Sequence, residues 1–207
     1  MTTPNWNRNL RQKGGFWKHG RWYDVNLARR LPLAVALMEE LIAALPPLDS
    51  STSVCDLGCG TGNAAMSVLM AYPTVHMTVL DKDPEMLELA REKISEVREG
   101  ISLLEATVSA EGEPIPGSPY DVIIASMVIP DLIGDDSMGA EAETRYELLF
   151  QGLAASLTPG GHLFVADQIG SLGLYRLMKT MERAGFSDVD CAWRQDDFYI
   201  CGGRLAV

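Results

Sequence analysis

Three carboxylates in this chain close short apolar runs. Asp56 follows Ser53-Val54-Cys55, Asp81 follows Val75-His76-Met77-Thr78-Val79-Leu80, and Glu105 follows Leu103-Leu104. An ionised carboxylate accepts several hydrogen bonds at once, which suits paired hydroxyls or an amino group on a ligand. Directly after Asp56 the chain reads Leu57-Gly58-Cys59-Gly60-Thr61-Gly62, with glycine at every second position. Glycines at a strand-to-helix turn let the backbone bend tightly and let a ligand approach it closely. The same turn also fits a tight loop with no ligand. It is not the dinucleotide fingerprint G-x-G-x-x-G, and no Gly-Lys-Ser/Thr follows to make a P-loop.

Placing these carboxylates together requires strands that end on one edge of a sheet. Apolar runs predict strands over residues 53–57, 75–81, 102–106, 120–126, 162–167, 189–193 and 198–205. Between them, helices are expected over residues 63–71, 84–97, 140–156 and 172–184, with an irregular segment over 127–139. Asp83 reads as a helix N-cap and Pro84 as the first helical residue, which leaves Asp81 available for another task. Ahead of the first strand, Leu31, Val35, Met38, Ile42 and Leu45 recur at helical spacing, and Pro46-Pro47 ends that helix. Strand–helix alternation predicts a mostly parallel sheet with helices on both faces. The last two strands are separated only by Arg194-Gln195-Asp196-Asp197 and must be antiparallel. Ligands in such sheets bind beyond the carboxyl ends of the strands, where strand order reverses. Asp56, Asp81, Glu105 and Ser126 all sit at such ends.

The order and spacing of Asp56 to Gly62, Asp81, Glu105-Ala106, the strand ending at Ser126, and Leu157-Thr158-Pro159-Gly160-Gly161 resemble the class I S-adenosylmethionine-dependent methyltransferases. The resemblance runs from about Ser53 to the C-terminus. It implies an α/β, Rossmann-like, doubly wound, mostly parallel seven-stranded sheet with the last strand antiparallel, plus an N-terminal helical lid. It implies one domain over residues 1–207, with an arm and helix in 1–48 and a cofactor-binding core in 49–207. It also implies S-adenosylmethionine as cofactor. Carried over position by position, Gly58, Cys59 and Gly60 would pass under the methionine part, and Asp56 would orient the loop and the amino group. Asp81 would hold the ribose, with Lys82 beside the adenine. Glu105 and Ala106 would meet the adenine edge, and Ser126 and Met127 would lie near the reacting methyl.

Composition narrows the acceptor. A net charge of −11 disfavours nucleic acid, whose binding relies on Lys and Arg. The basic residues Arg8, Arg11, Lys13, Lys18 and Arg21 read as a solvated arm. A small-molecule acceptor is therefore expected. The segment Ser126-Met127-Val128-Ile129-Pro130 lacks the Asn/Asp-Pro-Pro-Tyr/Phe box associated with amino-group methylation of nucleobases and glutamine. No apolar stretch is long enough to span a bilayer, and the N-terminus lacks an apolar leader, so a cytoplasmic location is expected. The four cysteines have no metal-ligand spacing, and no metal is expected.

Methyl transfer from a sulfonium is an in-line displacement with a neutral leaving group. Proximity does most of the work, and a general base is needed only when the acceptor holds its proton tightly. His19 and Tyr23, in the aromatic arm Phe16-Trp17-Lys18-His19-Gly20-Arg21-Trp22-Tyr23, are candidates for base and lid. The same arm could instead pack on a second subunit, making a homodimer. Asp131 is a further candidate base. His76 and His162 fall inside strand patterns and read as structural. Met127, Met138, Met178 and Met181 would either line an adaptable acceptor pocket or fill core. Two alternatives share the fold: methylation of tRNA or protein, and a non-catalytic cofactor-binding regulator.

Overall fold

The computed structural model describes residues 23–24, 27, 29, 31–134 and 139–206. From Leu33 onward their helices are α1 (Leu33–Ala44), α2 (Asn63–Ala71), α3 (Pro84–Ser95), α4 (Ile129–Ile133), α5 (Gly139–Ala155) and α6 (Leu174–Arg183). The strands are β1 (Ser53–Leu57), β2 (His76–Asp81), β3 (Ser102–Glu105), β4 (Tyr120–Ser126), β5 (Leu157–Gln168), β6 (Phe186–Gln195) and β7 (Phe198–Leu205). They form one seven-stranded sheet in the order β3-β2-β1-β4-β5-β7-β6. The pairs β1–β2, β1–β4, β2–β3 and β4–β5 are parallel, whereas β7 is antiparallel to both β5 and β6. Strand order reverses between β1 and β4, so the crevice of such a sheet opens above those two strand ends.

Alternation along the central strands feeds two apolar layers. Ile123, Cys55, Leu57, Leu163 and Val165 face the layer built with Tyr146, Phe150, Leu177 and Met181. Val122, Ile124 and Val54 face the opposite layer, built with Leu37, Leu41, Val68, Ala90 and Ile94. α1, α2 and α3 therefore cover one face, and α4, α5 and α6 the other.

Three expectations need correction. Val35 is 49% exposed, while Ala34, Leu37 and Leu41 are buried. α1 is apolar nearly all round, so two overlapping stripes satisfy helical spacing, and contact with α2 and the sheet decides between them. The expected irregular stretch contains α4, whose N-terminus is held by Asp167: Ile129 N donates to Oδ2 at 3.0 Å. Finally, β5 begins at Leu157. Its pairing with β4 jumps from Tyr120↔Leu157 to Val122↔His162, which loops the Pro-Gly-Gly stretch out of register.

Candidate functional site

β1 delivers Asp56 into the interior, 1% exposed. Its Oδ2 accepts the backbone N–H of Ala65 at 3.0 Å. Gly62, the N-cap of α2, has no side chain to cap the helix, so Asp56 supplies the acceptor from the strand below. Burial pushes the Asp56 carboxyl up to about 7; the Ala65 N–H opposes this and the Asp81 charge adds to it. The neighbouring Cys59 thiol is raised as well, by burial and then by the charges of Asp56 and Asp81.

The three glycines of the turn do three different things. A Cβ on Gly58 would lie 2.2 Å from Cγ2 of Val128, so this glycine exists to let the β4–α4 link press on the turn. A Cβ on Gly62 would meet Ala90 Cβ of α3 at 3.0 Å. Gly60 alone opens outward: at φ +52° it has nothing within 4 Å of where a Cβ would stand. That is the close-approach position of the turn.

Asp81, at the end of β2, clasps the same turn. Its Oδ2 accepts Gly60 N at 2.8 Å, and its Oδ1 accepts Asp83 N at 3.0 Å. Asp83 caps α3 by accepting Glu85 N at 2.9 Å. A carboxylate has about four lone-pair sites, so Asp81 retains two for a ligand.

These groups line a cavity of about 540 Å³. Asp56, Gly58, Cys59, Gly60, Asp81, Lys82, Ala106, Ser126, Met127, Tyr23 and Asp131 all contribute to its wall. Glu105 does not join them: it is exposed and outside the lining, although its neighbour Ala106 donates its N–H to Asp81 O at 3.0 Å. His19 lies outside the described residues, as does Met138. Met178 and Met181 belong to the core under α6, while Met38 and Met86 join Met127 in the cavity wall. Met127 holds a left-handed φ of +55° at the end of β4, an uncommon conformation for such a side chain. Neither His76 nor His162 lines the cavity.

Several wall residues carry no sequence signal of their own. Arg145, on α5, is half-buried in the wall, and its guanidinium lies beside Gly134 at the end of α4. Leu27, Leu31, Leu37 and Leu132 supply apolar surface. Asp167, which lies outside the wall and holds the start of α4, could have been found, since it closes the apolar run over 162–167 as Asp56 and Asp81 close theirs. Among the described residues, no group of three or more His, Cys, Asp or Glu side chains could hold a metal ion. None of their helices is long and apolar enough to cross a membrane.

A family model described as "Methyltransferase domain" matches residues 55–163, which carry the glycine turn, Asp81 and β4. The chain belongs to the class I S-adenosylmethionine-dependent methyltransferases. The cofactor of this family is S-adenosylmethionine. Among curated relatives, the trans-aconitate 2-methyltransferase of Paracidovorax citrulli is 30% identical over 126 residues, covering 61% of this chain and 42% of that protein. The protein of the same name from Methylobacterium nodulans is 32% identical over 124 residues, 60% of this chain and 41% of that protein. The chain thus spans about two-fifths of the length of these relatives. Among solved structures, an O-methyltransferase family 2 protein from Planctomyces limnophilus, in complex with apigenin, superposes with a TM-score of 0.68. It is 22% identical, and the match covers 93% of this chain and 62% of that one. A TehB-like methyltransferase from Corynebacterium glutamicum has a TM-score of 0.61 at 14% identity, over 92% of this chain and 99% of that one. At these identities the structural matches speak to the fold.

Proposed function

We propose that this chain catalyses S-adenosylmethionine-dependent methyl transfer to a carboxylate oxygen of a small metabolite. The observation that carries the cofactor half is the open face of Gly60 beside Asp81, whose two remaining lone pairs match the two ribose hydroxyls. Asp56 would hold the turn and face the amino group, Lys82 and Ala106 would flank the adenine, and Ser126 and Met127 would stand near the methyl. Glu105 is exposed and outside the cavity lining, so it is left out of this assignment. When bound, the cofactor supplies an electrophilic methyl on a sulfonium that leaves as a neutral thioether.

The acceptor half is supported by charge and by what the wall contains. Among the described lining residues there is no histidine. An amine or alcohol must lose a proton on methylation, whereas a carboxylate is already ionised and needs no base. Tyr23 and Asp131 would then orient the acceptor without taking a proton from it. Arg145 offers a planar fork suited to a second carboxylate. Asp131 is exposed and better screened by solvent than half-buried Arg145. The curated relatives named for trans-aconitate point the same way. The net charge of −11 weighs against a nucleic-acid acceptor, and four free thiols suit a reducing, cytoplasmic setting.

The test is transfer of a labelled methyl group to a panel of small carboxylic acids, phenols and amines. Base-labile methyl esters of acids carrying two or more carboxylates are expected. Arg145→Gln should lower kcat/KM for those acids by about tenfold, the loss of a charge-assisted pair, with S-adenosylhomocysteine affinity unchanged. Label appearing only on amines or phenols would reject the carboxylate acceptor.

A further inference from the structure

Beside the glycine turn lies a polar cluster that neither the cofactor nor the acceptor reading uses, although two of its members, Thr61 and Asn63, line the cavity. Asp24 Oδ1 accepts Thr61 Oγ1–H at 2.7 Å and Asn63 Nδ2–H at 3.2 Å. Lys93, in the last turn of α3, pairs with Asp24 Oδ2 at 2.8 Å. The same ammonium donates to Asn63 Oδ1 at 2.6 Å and Thr61 Oγ1 at 3.2 Å. Thr61 is 2% exposed and stands between Gly60, which faces the cavity, and Gly62, which caps α2. Asp24 adjoins Tyr23, and Tyr23, Leu27 and Leu31 line the cavity. One ion pair with four hydrogen bonds therefore joins the chain ahead of α1, the cofactor turn and α3.

We infer that Asp24 and Lys93 are positioning residues that couple cofactor binding to placement of the acceptor wall. A ligand seated on Gly60 fixes Thr61, the next residue. Thr61 holds Asp24 by a short hydrogen bond, and Asp24 brings Tyr23 with it. Coupling of this kind is reciprocal: whatever the cofactor contributes to ordering the wall, an ordered wall returns as cofactor affinity. Lys93 closes the circuit because it touches Asp24, Thr61 and Asn63 together. Replacing it leaves the Asp24 carboxylate half-buried without its cation. The ligand-dependent part of this inference rests on the cofactor reading above.

The experiment is hydrogen exchange on the full chain, following the amides of Tyr23, Asp24, Leu27, Arg29 and Leu31, without ligand and with S-adenosylhomocysteine. Without ligand, Lys93→Met should speed exchange there by about tenfold relative to wild type, while Lys93→Arg restores slow exchange. Amides of β1 and β4 serve as the check that the fold is intact, and Asp24→Asn is the second variant should Lys93→Met fail that check. With ligand, wild type should gain protection at the same amides. Lys93→Met should gain little and bind S-adenosylhomocysteine about threefold to tenfold more weakly. Equal exchange in wild type and Lys93→Met without ligand would overturn the clasp. Faster exchange with unchanged ligand affinity and unchanged ligand-induced protection would reduce it to a structural contact and overturn the coupling. Failure of wild type to bind the ligand would overturn the cofactor reading instead, and the ligand-free arm would still decide the clasp.

Discussion

The two ends of the cavity are built on opposite principles. The proposed cofactor end is made by backbone and strand-end carboxylates: Gly60, Asp81 and Asp56 are fixed by parallel pairing of β1 with β2 and β4. The proposed acceptor end is made by side chains from four separate pieces: Tyr23 and Leu27 ahead of α1, Leu37 on α1, Leu132 on α4 and Arg145 on α5. The first end depends on sheet register and tolerates little change. The second can be rebuilt by altering a few helix residues, which is how one fold serves many acceptors.

The largest effects should come from separating the glycines of the turn. Gly60→Val is expected to abolish S-adenosylhomocysteine binding by calorimetry while leaving a folded protein, because its side chain would enter open cavity space. The cost to the fold is the left-handed φ, about 1–2 kcal/mol. Gly58→Ala should do the reverse. Its methyl collides with Val128, so stability should fall by about 1–3 kcal/mol in thermal melts. Val128→Ala in the same chain should recover part of that loss. Equal binding defects in both variants, with equal stability, would erase the distinction between packing and ligand glycines.

Asp81→Ala comes next. Losing hydrogen bonds to a charged acceptor costs about 1.5–3 kcal/mol, so cofactor affinity should fall by at least about tenfold. At saturating cofactor, KM for the acceptor should change much less than the cofactor affinity does. A folded variant of normal affinity would mean that Asp81 serves only the turn and Asp83.

The smallest effect is protonic. Burial raises Asp56 to about 7, so between its unfolded value of 3.8 and about 7 the folded chain holds the proton that the unfolded chain has released. The stabilisation from this group is complete below 3.8 and is lost as pH rises through about 7. Asp56→Asn should flatten that part of the stability profile. A cationic cofactor beside Asp56 favours its ionised form. Below about 7, binding should therefore release a proton, seen as a dependence of calorimetric heat on buffer ionisation that Asp56→Asn removes.

How much of this was legible follows the same division. β1, α2, β4 and β7 run where local pattern places them, because each carries a mainly apolar stretch preceded by turn residues. The convergence of Asp56, Asp81 and Ser126 was legible too, since parallel strands bring their carboxyl ends to one edge. The reason for Gly58 was not: its partner Val128 is remote in sequence, and only the β1–β4 register brings them together. Glu105 closes an exposed edge strand outside the cavity lining, which its local pattern does not reveal. Lys93 and Arg145 look like ordinary solvated charges on amphipathic helices until α3 and α5 are packed.

The central claim is that this cavity is an S-adenosylmethionine site. Calorimetric titration of the wild-type chain with S-adenosylmethionine, S-adenosylhomocysteine, NAD and ATP tests it most directly. Saturable one-to-one binding of both sulfur ligands, with no response to NAD or ATP, is the predicted result. Saturation by NAD or ATP with no response to either sulfur ligand would contradict it.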